Sequence, residues 1–474
     1  MTIRFGTDGW RAIIADQFTF ENVRRVAAAV ERAIPPEASD GAPVVVGYDT
    51  RFHSRRFAEA VAGTLLAAGR RVQLSDAPCP TPAVSCQVVR EKAPFAIVIT
   101  ASHNPARFNG VKVKDSSGSS ADEEITRACE QNLPAAAPAC LGVEEGLAQG
   151  RLSIVSFSAA HEDRLARMVD LPAIREAGLT VVADPMYGAG GRLLERLLSG
   201  GRTRVITLHA ETDPLFGGLH PEPLEQHLGE LRAAVAAHGA DAGLATDGDA
   251  DRIGAFDEAG QFVSPLRIAP LLALGLIRKG RRGPLGKTFA NTILLDRIAR
   301  RHGLPFSTFP VGFKHIAREM RAGRMLLGGE ESGGIGVEGY IPERDGTLVS
   351  LMILQAMVDE GKPLSRLVRE MTDDLGELHY RRRDLVFSPD TARRVVERLR
   401  ENPPSMLGGM AVTGLDDRDG LKLLFGEEGW ILFRGSGTEP VLRVYCEAPS
   451  PEALDGAMTE ALHIVDRISF AIRS

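Results

Sequence analysis

Three carboxylates alternate along Asp247-Gly248-Asp249-Ala250-Asp251-Arg252, directly after the apolar stretch Ala242 to Thr246. Held close together, such groups repel one another and resist ionisation. A divalent cation removes that conflict, and ligands made only of oxygen select a hard ion such as Mg²⁺. A solvated acidic turn is the plain alternative; the strand-like lead-in argues instead for a fixed site. Asp247, Asp249, Asp251 and Glu258 also fall at the first, third, fifth and twelfth positions of an EF-hand loop. The sixth position is Arg252, where that loop requires glycine, and a strand rather than a helix precedes it, so a calcium loop is rejected.

Three further loops carry polar groups on small-residue backbones. Thr100-Ala101-Ser102-His103-Asn104-Pro105 follows the apolar run Phe95 to Thr100 and sets a serine beside a histidine. A serine at the carboxyl edge of a parallel sheet suits a nucleophile, while a polar turn with a capping serine is the plain alternative that this loop by itself favours; without a GxSxG word, acyl-transfer hydrolysis is not supported. Gly328-Gly329-Glu330-Glu331-Ser332-Gly333-Gly334 offers two acids and a hydroxyl, suited to reading sugar hydroxyls, with a mobile Gly-rich surface turn as an equal alternative for the loop alone. Arg434-Gly435-Ser436-Gly437-Thr438-Glu439-Pro440, with Arg443 nearby, combines inward-turning amides, hydroxyls and a planar guanidinium, the make-up of a phosphate cradle, with a plain hairpin turn as the alternative. It lacks the P-loop lysine pattern of triphosphate sites. One serine, a hard-metal site, a hydroxyl reader and a phosphate cradle together describe phosphate transfer on a sugar.

These loops need strands to hold them. Val44 to Val46 reads as a buried strand ending in Gly47-Tyr48-Asp49-Thr50-Arg51, and a helix follows through Phe57, Val61, Leu65 and Leu66. Phe18 and Val23 flank Thr19 as a hydrophobic staple at a helix start, continued by Val26, Ala27, Val30 and Ile34. Strands are expected at Leu179 to Ala183, Ala242 to Thr246, Thr288 to Asn291 and Met325 to Leu327. The alternation predicts three related α/β domains. The last segment differs: charged strands, a hairpin at Gly426-Glu427-Glu428-Gly429, and a final helix with Ser450 as N-cap and Pro451 in its first turn. Boundaries are expected in Asn132 to Gly150, near Asp257 to Gly260, and around Asp373 to Arg383.

At about 150 residues per domain, 474 residues allow roughly three or four domains. A net charge of −6 and an aromatic content of 5% argue against nucleic acid as a partner. No stretch approaches the roughly 20 apolar residues of a spanning helix, and no secretory signal is visible. Cys79, Cys86, Cys129, Cys140 and Cys446 form no CxxC pair, so a reducing cytoplasm is the expected location.

The chain resembles the α-D-phosphohexomutases, the family of phosphoglucomutases, phosphomannomutases and phosphoglucosamine mutases, over essentially its full length. The words that carry the resemblance are Phe5-Gly6-Thr7-Asp8-Gly9-Trp10-Arg11, Thr100 to Pro105, Asp247 to Arg252, Gly329 to Ser332 and Arg434 to Pro440, all in family order. The resemblance implies an α/β protein with three related α/β/α mixed-sheet domains and a C-terminal TATA-binding-protein-like α+β domain around a central cleft. The expected domains are 1–145, 146–257, 258–373 and 374–474, carrying the phosphoserine, metal, sugar and phosphate loops in turn.

Position by position, the resemblance makes Ser102 the phosphoserine, with Asp247, Asp249 and Asp251 holding Mg²⁺ together with its phosphate. Arg252 is expected against the reacting phosphate, and Arg11, His103 and Lys112 beside it as acid–base or charge-stabilising groups. Glu330 and Ser332 are expected on sugar hydroxyls; Arg434, Ser436, Gly437, Thr438 and Arg443 on the phosphate not in reaction.

Gly312-Phe313-Lys314-His315 is similar to the Gly-Trp-Lys-Phe type of phosphoglucomutase loop, which adds Gly312 and Lys314 to the expected substrate contacts. Gly334 stands where many phosphomannomutases and phosphoglucosamine mutases carry histidine. Ile341-Pro342-Glu343-Arg344-Asp345-Gly346 resembles a phosphoglucomutase stretch with its basic pair replaced, so no catalytic role is assigned to Arg344. The opening Phe-Gly-Thr-Asp-Gly word is, by contrast, common in phosphoglucosamine mutases.

The expected activity is that of a bacterial phosphoglucomutase: glucose 1-phosphate and glucose 6-phosphate interconverted through a phosphoserine and glucose 1,6-bisphosphate, which also serves as activator. Phosphomannomutase and phosphoglucosamine mutase are the alternatives within the family. A Mg²⁺-dependent sugar-phosphate phosphatase and a non-enzymatic sugar-phosphate sensor are the rivals outside it. The expected partners are small hexose phosphates, with no nucleic acid and no membrane, for a monomer or homodimer.

Overall fold

The strand Phe95–Ile99 shows how the sequence builds the architecture. Its residues are apolar without a break, and alternate ones enter different cores: Phe95, Ile97 and Ile99 pack in one cluster, Ala96 and Val98 in another. A strand buried on both faces belongs in the middle of a sheet covered by helices on either side. Val44, Val46 and Tyr48 divide from Val45 in the same way.

The structure, a computed structural model, describes residues 3–6, 8–34, 41–436 and 440–473. The first sheet contains β1 (Trp10–Ile13), β2 (Val44–Tyr48), β3 (Val72–Ser75), β4 (Phe95–Ile99), β5 (Phe108–Asp115) and β6 (Leu152–Val155), in the order β1-β5-β4-β2-β3-β6. β4, β2, β3 and β6 run parallel, and β5 and β1 are added antiparallel at one edge. The helix Phe20–Ala33 starts where the staple places it: Thr19 Oγ1 accepts from the Asn22 amide, and Phe18 and Val23 share one core.

The second sheet contains β7 (Thr180–Asp184), β8 (Arg204–Thr207), β9 (Ala242–Thr246), β10 (Ile253–Asp257) and β11 (Phe262–Val263), in the order β11-β10-β9-β7-β8. β9, β7 and β8 are parallel, while β10 and β11 are antiparallel. The segment Asp257 to Gly260 is the turn between β10 and β11. Third in the chain come β12 (Leu285–Thr288), β13 (Phe306–Phe309), β14 (Leu327–Gly329) and β15 (Ile335–Val337), with β14 and β15 antiparallel. The strand expected at Thr288 to Asn291 lies earlier, at Leu285–Thr288, and Asn291 falls in the link to the helix Leu294–Arg301.

The C-terminal sheet is wholly antiparallel. It contains β16 (His379–Val386), β19 (Gly414–Asp416), β20 (Leu421–Leu424), β21 (Trp430–Gly435) and β22 (Val441–Ala448), with the separate ribbon β17 (Met406–Leu407) and β18 (Met410–Ala411). Its order is β16-β22-β21-β20-β19, and the helices Pro389–Glu401 and Pro451–Arg473 contribute to its core. The chain therefore has three α/β/α domains and a distinct C-terminal α+β domain. Contacts divide it into one unit of Met1–Gly286 with Gly312–Leu367 and another of Lys287–Val311 with Val368–Ser474. No helix among the described residues is long and apolar enough to cross a membrane.

One topological device recurs in the first unit. Ile99 pairs with Val111, Thr246 with Ile253, and Gly329 with Ile335. The serine loop, the acidic loop and the Glu330 loop are thus each the connection from a strand to its antiparallel neighbour.

Candidate active site

Ser102 leaves β4 in the left-handed conformation, at φ 51°, which non-glycine residues adopt only when their surroundings hold them there. Its amide donates to Thr100 Oγ1 at 2.9 Å. The larger constraint is Arg51. One guanidinium donates to the carbonyl oxygens of Ser102 and Asn104 at 2.6 Å and of Pro105 and Phe108 at 3.0 Å. Asp49 fixes Arg51 through its Nε at 3.1 Å, and the Phe216 ring lies 4.8 Å from the guanidinium carbon. A planar five-donor fork is the side chain suited to gathering several carbonyls at once.

So held, Ser102 Oγ donates to Asp247 Oδ2 at 2.8 Å, and His103 Nδ1 lies 3.4 Å from Ser102 Oγ. Asp247 shapes the acidic loop as well, its Oδ1 accepting from the amides of Asp251 at 2.9 Å and Arg252 at 3.1 Å. Close approach explains Gly248: a Cβ there would lie 2.5 Å from the Ser102 carbonyl oxygen.

Asp247, Asp249 and Asp251 are fully buried and bring one carboxylate oxygen each within 4.8 Å of the others. Burial, then the charges of Asp251 and Asp249, push the Asp247 carboxyl well above its ordinary range. Asp249 moves the other way. Burial opposes its ionisation, but Lys112 and a hydrogen bond from Thr81 Oγ1 hold its carboxyl below the usual range. Asp249 Oδ1 and Asp251 Oδ1 are buried without a hydrogen-bond donor among the described residues. Clustered oxygens with free lone pairs are the donor set of a hard divalent cation, so these residues fit Mg²⁺.

Lys112 rises from β5 into this cluster, 2.8 Å from Asp249 and Asp251 and 2.9 Å from Asp8. Burial lowers its proton affinity, yet the three carboxylates outweigh burial and hold it protonated. Arg344 lies beside it, 2.7 Å from Asp8 and Asp251 and 3.0 Å from Glu330. Arg252 pairs with Glu222 at 3.1 Å, and Arg11 donates to Asn104 Oδ1 at 2.6 Å. Burial, then Arg252 and Arg11, lowers the His103 pKa well below its usual value, so its imidazole is neutral at pH 7.

The structure thus brings together Ser102, His103, Lys112, Arg11, Arg252, Glu330 and the three aspartates. Ser332 lies in the turn joining β14 to β15, Gly312 has φ 125°, and Lys314 pairs with Glu123. In the second unit Arg434 and Arg443 face each other across β21 and β22, paired with Asp419 at 2.9 Å and Asp384 at 3.4 Å. The Ser436 amide donates to the Val441 carbonyl. Gly437 and Thr438 lie outside the described residues.

Sequence reasoning missed Asp8, Arg51, Glu222 and Arg344. Asp8 and Arg51 stand inside words already singled out, and the strand ending before Asp49 was the available signal for Arg51. Arg344 was set aside for its company in Ile341 to Gly346, yet it is the residue that joins Asp8, the acidic loop and the Glu330 loop. Chemically, the site has a constrained serine oxygen, acceptors for a hard cation, fixed cations for phosphoryl charge, and a buried acid at its rim.

The chain matches the family models described as "Phosphoglucomutase/phosphomannomutase, alpha/beta/alpha domain I" over residues 2–138, domain II over 159–260, domain III over 265–375, and the C-terminal domain over 393–463. A curated phosphoglucomutase/phosphomannomutase of Thermococcus kodakarensis is 31% identical over 454 residues, covering 94% of this chain and 95% of its own. A phosphoglucosamine mutase of Frankia casuarinae is 33% identical over 482 residues, covering 99% and 98%. The crystal structure of a protein from Thermus thermophilus, assigned provisionally as a phosphomannomutase, superposes with a TM-score of 0.87 at 36% identity, covering 98% of this chain and 99% of its own.

Proposed function

This chain belongs to the phosphoglucomutase/phosphomannomutase family of intramolecular phosphotransferases, and we propose that Ser102 is its phosphoryl carrier. The observation that carries this reading is the 2.8 Å hydrogen bond from Ser102 Oγ to a member of the buried aspartate cluster. Phospho-Ser102 gives its phosphoryl group to the 6-hydroxyl of a hexose 1-phosphate. The serine–phosphorus bond breaks as the bond to the sugar oxygen forms. The bisphosphate turns end for end and returns its 1-phosphate to Ser102, releasing the 6-phosphate.

Asp247, Asp249 and Asp251 would hold Mg²⁺, which when bound would supply charge neutralisation on the phosphoryl oxygens. Arg252, Lys112 and Arg344 add fixed positive charge, in a reaction that depends on positioning and electrostatics. Arg51 keeps the serine oxygen in place. Glu330 and Ser332 accept sugar hydroxyls, and Arg434, Ser436 and Arg443 bind a phosphate.

For the sugar, glucosamine phosphate has the broader support. The word opening at Phe5 is of the kind common in phosphoglucosamine mutases, and the Frankia casuarinae relative bears that name. This displaces the glucose phosphates favoured on sequence alone. Glucose remains the second reading on one observation: a Cβ on Gly334 would lie 2.3 Å from Arg344 Cδ, leaving no room for the histidine of many relatives.

Two measurements test the proposal. Ser102→Ala should abolish turnover and remove a covalent phosphate detected by intact mass; an active variant overturns the carrier role. Comparing kcat/KM on glucosamine, glucose and mannose 1-phosphates ranks the sugars, and a preference for mannose overturns both readings.

A further inference from the structure

Arg164 is built into the structure without a counter-charge. Its Nε is buried and has no hydrogen-bond partner, and its guanidinium forms no ion pair among the described residues. Leaving a buried donor of a charged group unmade costs free energy unless something supplies the acceptor. The side chain borders a cavity of about 390 Å³, within the range of small-molecule sites. Lys92, which ends the helix Thr81–Glu91 in the left-handed conformation, also lines it; this lysine is exposed and has no ion-pair partner among the described residues. Ser116 adds a hydroxyl.

The remaining wall is apolar, built from Val89, Ile341 and Pro342 with the Tyr340 ring. The Tyr340 hydroxyl is already committed, donating to Asp345 Oδ2 at 2.5 Å. The cavity lining therefore combines a guanidinium with a buried unpaired Nε, an exposed ammonium without an ion-pair partner among the described residues, and apolar side chains. It shares no residue with the serine, acidic or Glu330 loops. Pro342 of its lining is nevertheless followed in the chain by Glu343 and Arg344, whose side chains reach Lys114 and the aspartate cluster.

We infer that this cavity is a second binding site, for a small phosphate monoester with a ring body, and that its occupancy acts on the active centre through Tyr340 to Arg344. The phosphate answers Lys92 and Arg164, with Ser116 donating to it. The ring packs on Val89, Ile341 and Pro342. Fixing this strand of backbone changes how firmly Arg344 is held against Asp251 and Glu330.

The test uses the full chain and phenyl phosphate as probe, with titration calorimetry on the unchanged protein and on Lys92→Gln/Arg164→Gln. The unchanged protein should show a binding step that is at least tenfold weaker in the double variant, while basal turnover without probe stays the same. Identical isotherms overturn the site. Inorganic phosphate should bind more weakly than phenyl phosphate at this step; equal affinity overturns the role of the ring. Both proteins share any binding of the probe at Ser102, so the coupling is read as a difference. Saturating probe should shift kcat in the unchanged protein beyond its effect on the double variant, and equal effects overturn the action through Arg344.

Discussion

The stem of Arg344 occupies the room that a side chain at position 334 would need. A Cβ on Gly334 would lie 2.3 Å from Arg344 Cδ and 2.8 Å from Glu330 Oε2. Arg344 in turn joins Asp8, Asp251 and Glu330. The pair is therefore coupled: the glycine permits the arginine, and the arginine holds three carboxylates. Gly334→Ala should lower kcat by roughly 10- to 1000-fold, the scale of a misplaced electrostatic group in a phosphoryl-transfer site. Arg344→Ala should cost at least as much. Because both act through one guanidinium, the double variant should be little worse than Arg344→Ala alone. Steady-state kinetics on the four proteins of this cycle check the claim, and simple additivity would show that Gly334 matters for another reason.

Lys112 answers three acidic side chains at once, two of them fully buried. Its Nζ is within 2.9 Å of Asp8, Asp249 and Asp251. Lys112→Met keeps much of the volume and deletes the charge. Breaking a buried ion pair from one side typically costs about 3–5 kcal/mol, because the partners remain ionised and unpaired. The chelator-treated variant should therefore melt well below the unchanged protein. Mg²⁺ should recover a larger share of Tm in the variant, since it answers the same carboxylates. Melting curves with chelator and with Mg²⁺ decide this; equal Mg²⁺ responses in both proteins would separate Lys112 from the metal cluster.

Much of this site was legible because loop chemistry is local. The alternation Asp247, Asp249, Asp251 after an apolar strand is a word that repulsion explains without knowledge of the fold. So is Thr19 with its flanking Phe18 and Val23, which mark the start of a helix. What stayed hidden is long-range. Arg51 serves carbonyls from Ser102 to Phe108, more than fifty residues away; the strand before Asp49 marks its loop but does not reveal those partners. Arg344 meets Asp8 and Asp251 only because three domains bring their loops to one place. Sequence spacing also missed that each site loop returns into an antiparallel strand. β5, which carries Lys112 and Lys114, alternates valine with lysine; that pattern looks like a half-exposed strand, whereas both lysines are buried against acids.

Arg51 offers a sharp test of positioning without contact with the reacting atoms. Arg51→Lys keeps the charge and the pairing with Asp49 but loses the fork that holds four carbonyls. Turnover should fall by roughly 10- to 100-fold with KM changed much less, because orientation of the serine oxygen is lost rather than substrate contact. Amide hydrogen exchange should quicken across residues 102–108. A variant with an unchanged kcat and unchanged exchange would show that the loop holds its shape without the guanidinium.

The pH dependence of stability should carry the signature of His209. Its Nδ1 lies 3.0 Å from Asp184 Oδ1 and its Nε2 3.1 Å from Glu230 Oε2, with the ring stacked on Tyr187 at 4.6 Å. The hydrogen bond to Asp184, followed by the charge of Asp184 and the Glu230 contact, outweighs burial and raises its pKa from 6.5 to about 9. The folded state therefore holds the proton more tightly than the unfolded chain. The resulting stabilisation is fully present below about pH 6.5 and is lost as pH rises through about 9. Since Glu230 is largely exposed, solvent screens its share, and the contribution is on the order of 1 kcal/mol. His209→Asn suits the backbone, because φ is 43° there and asparagine tolerates the left-handed region. Urea midpoints measured at about pH 6 and about pH 9.5 should converge in the variant relative to the unchanged protein. If the two proteins lose stability in parallel over that interval, the imidazolium at 209 is not the group responsible.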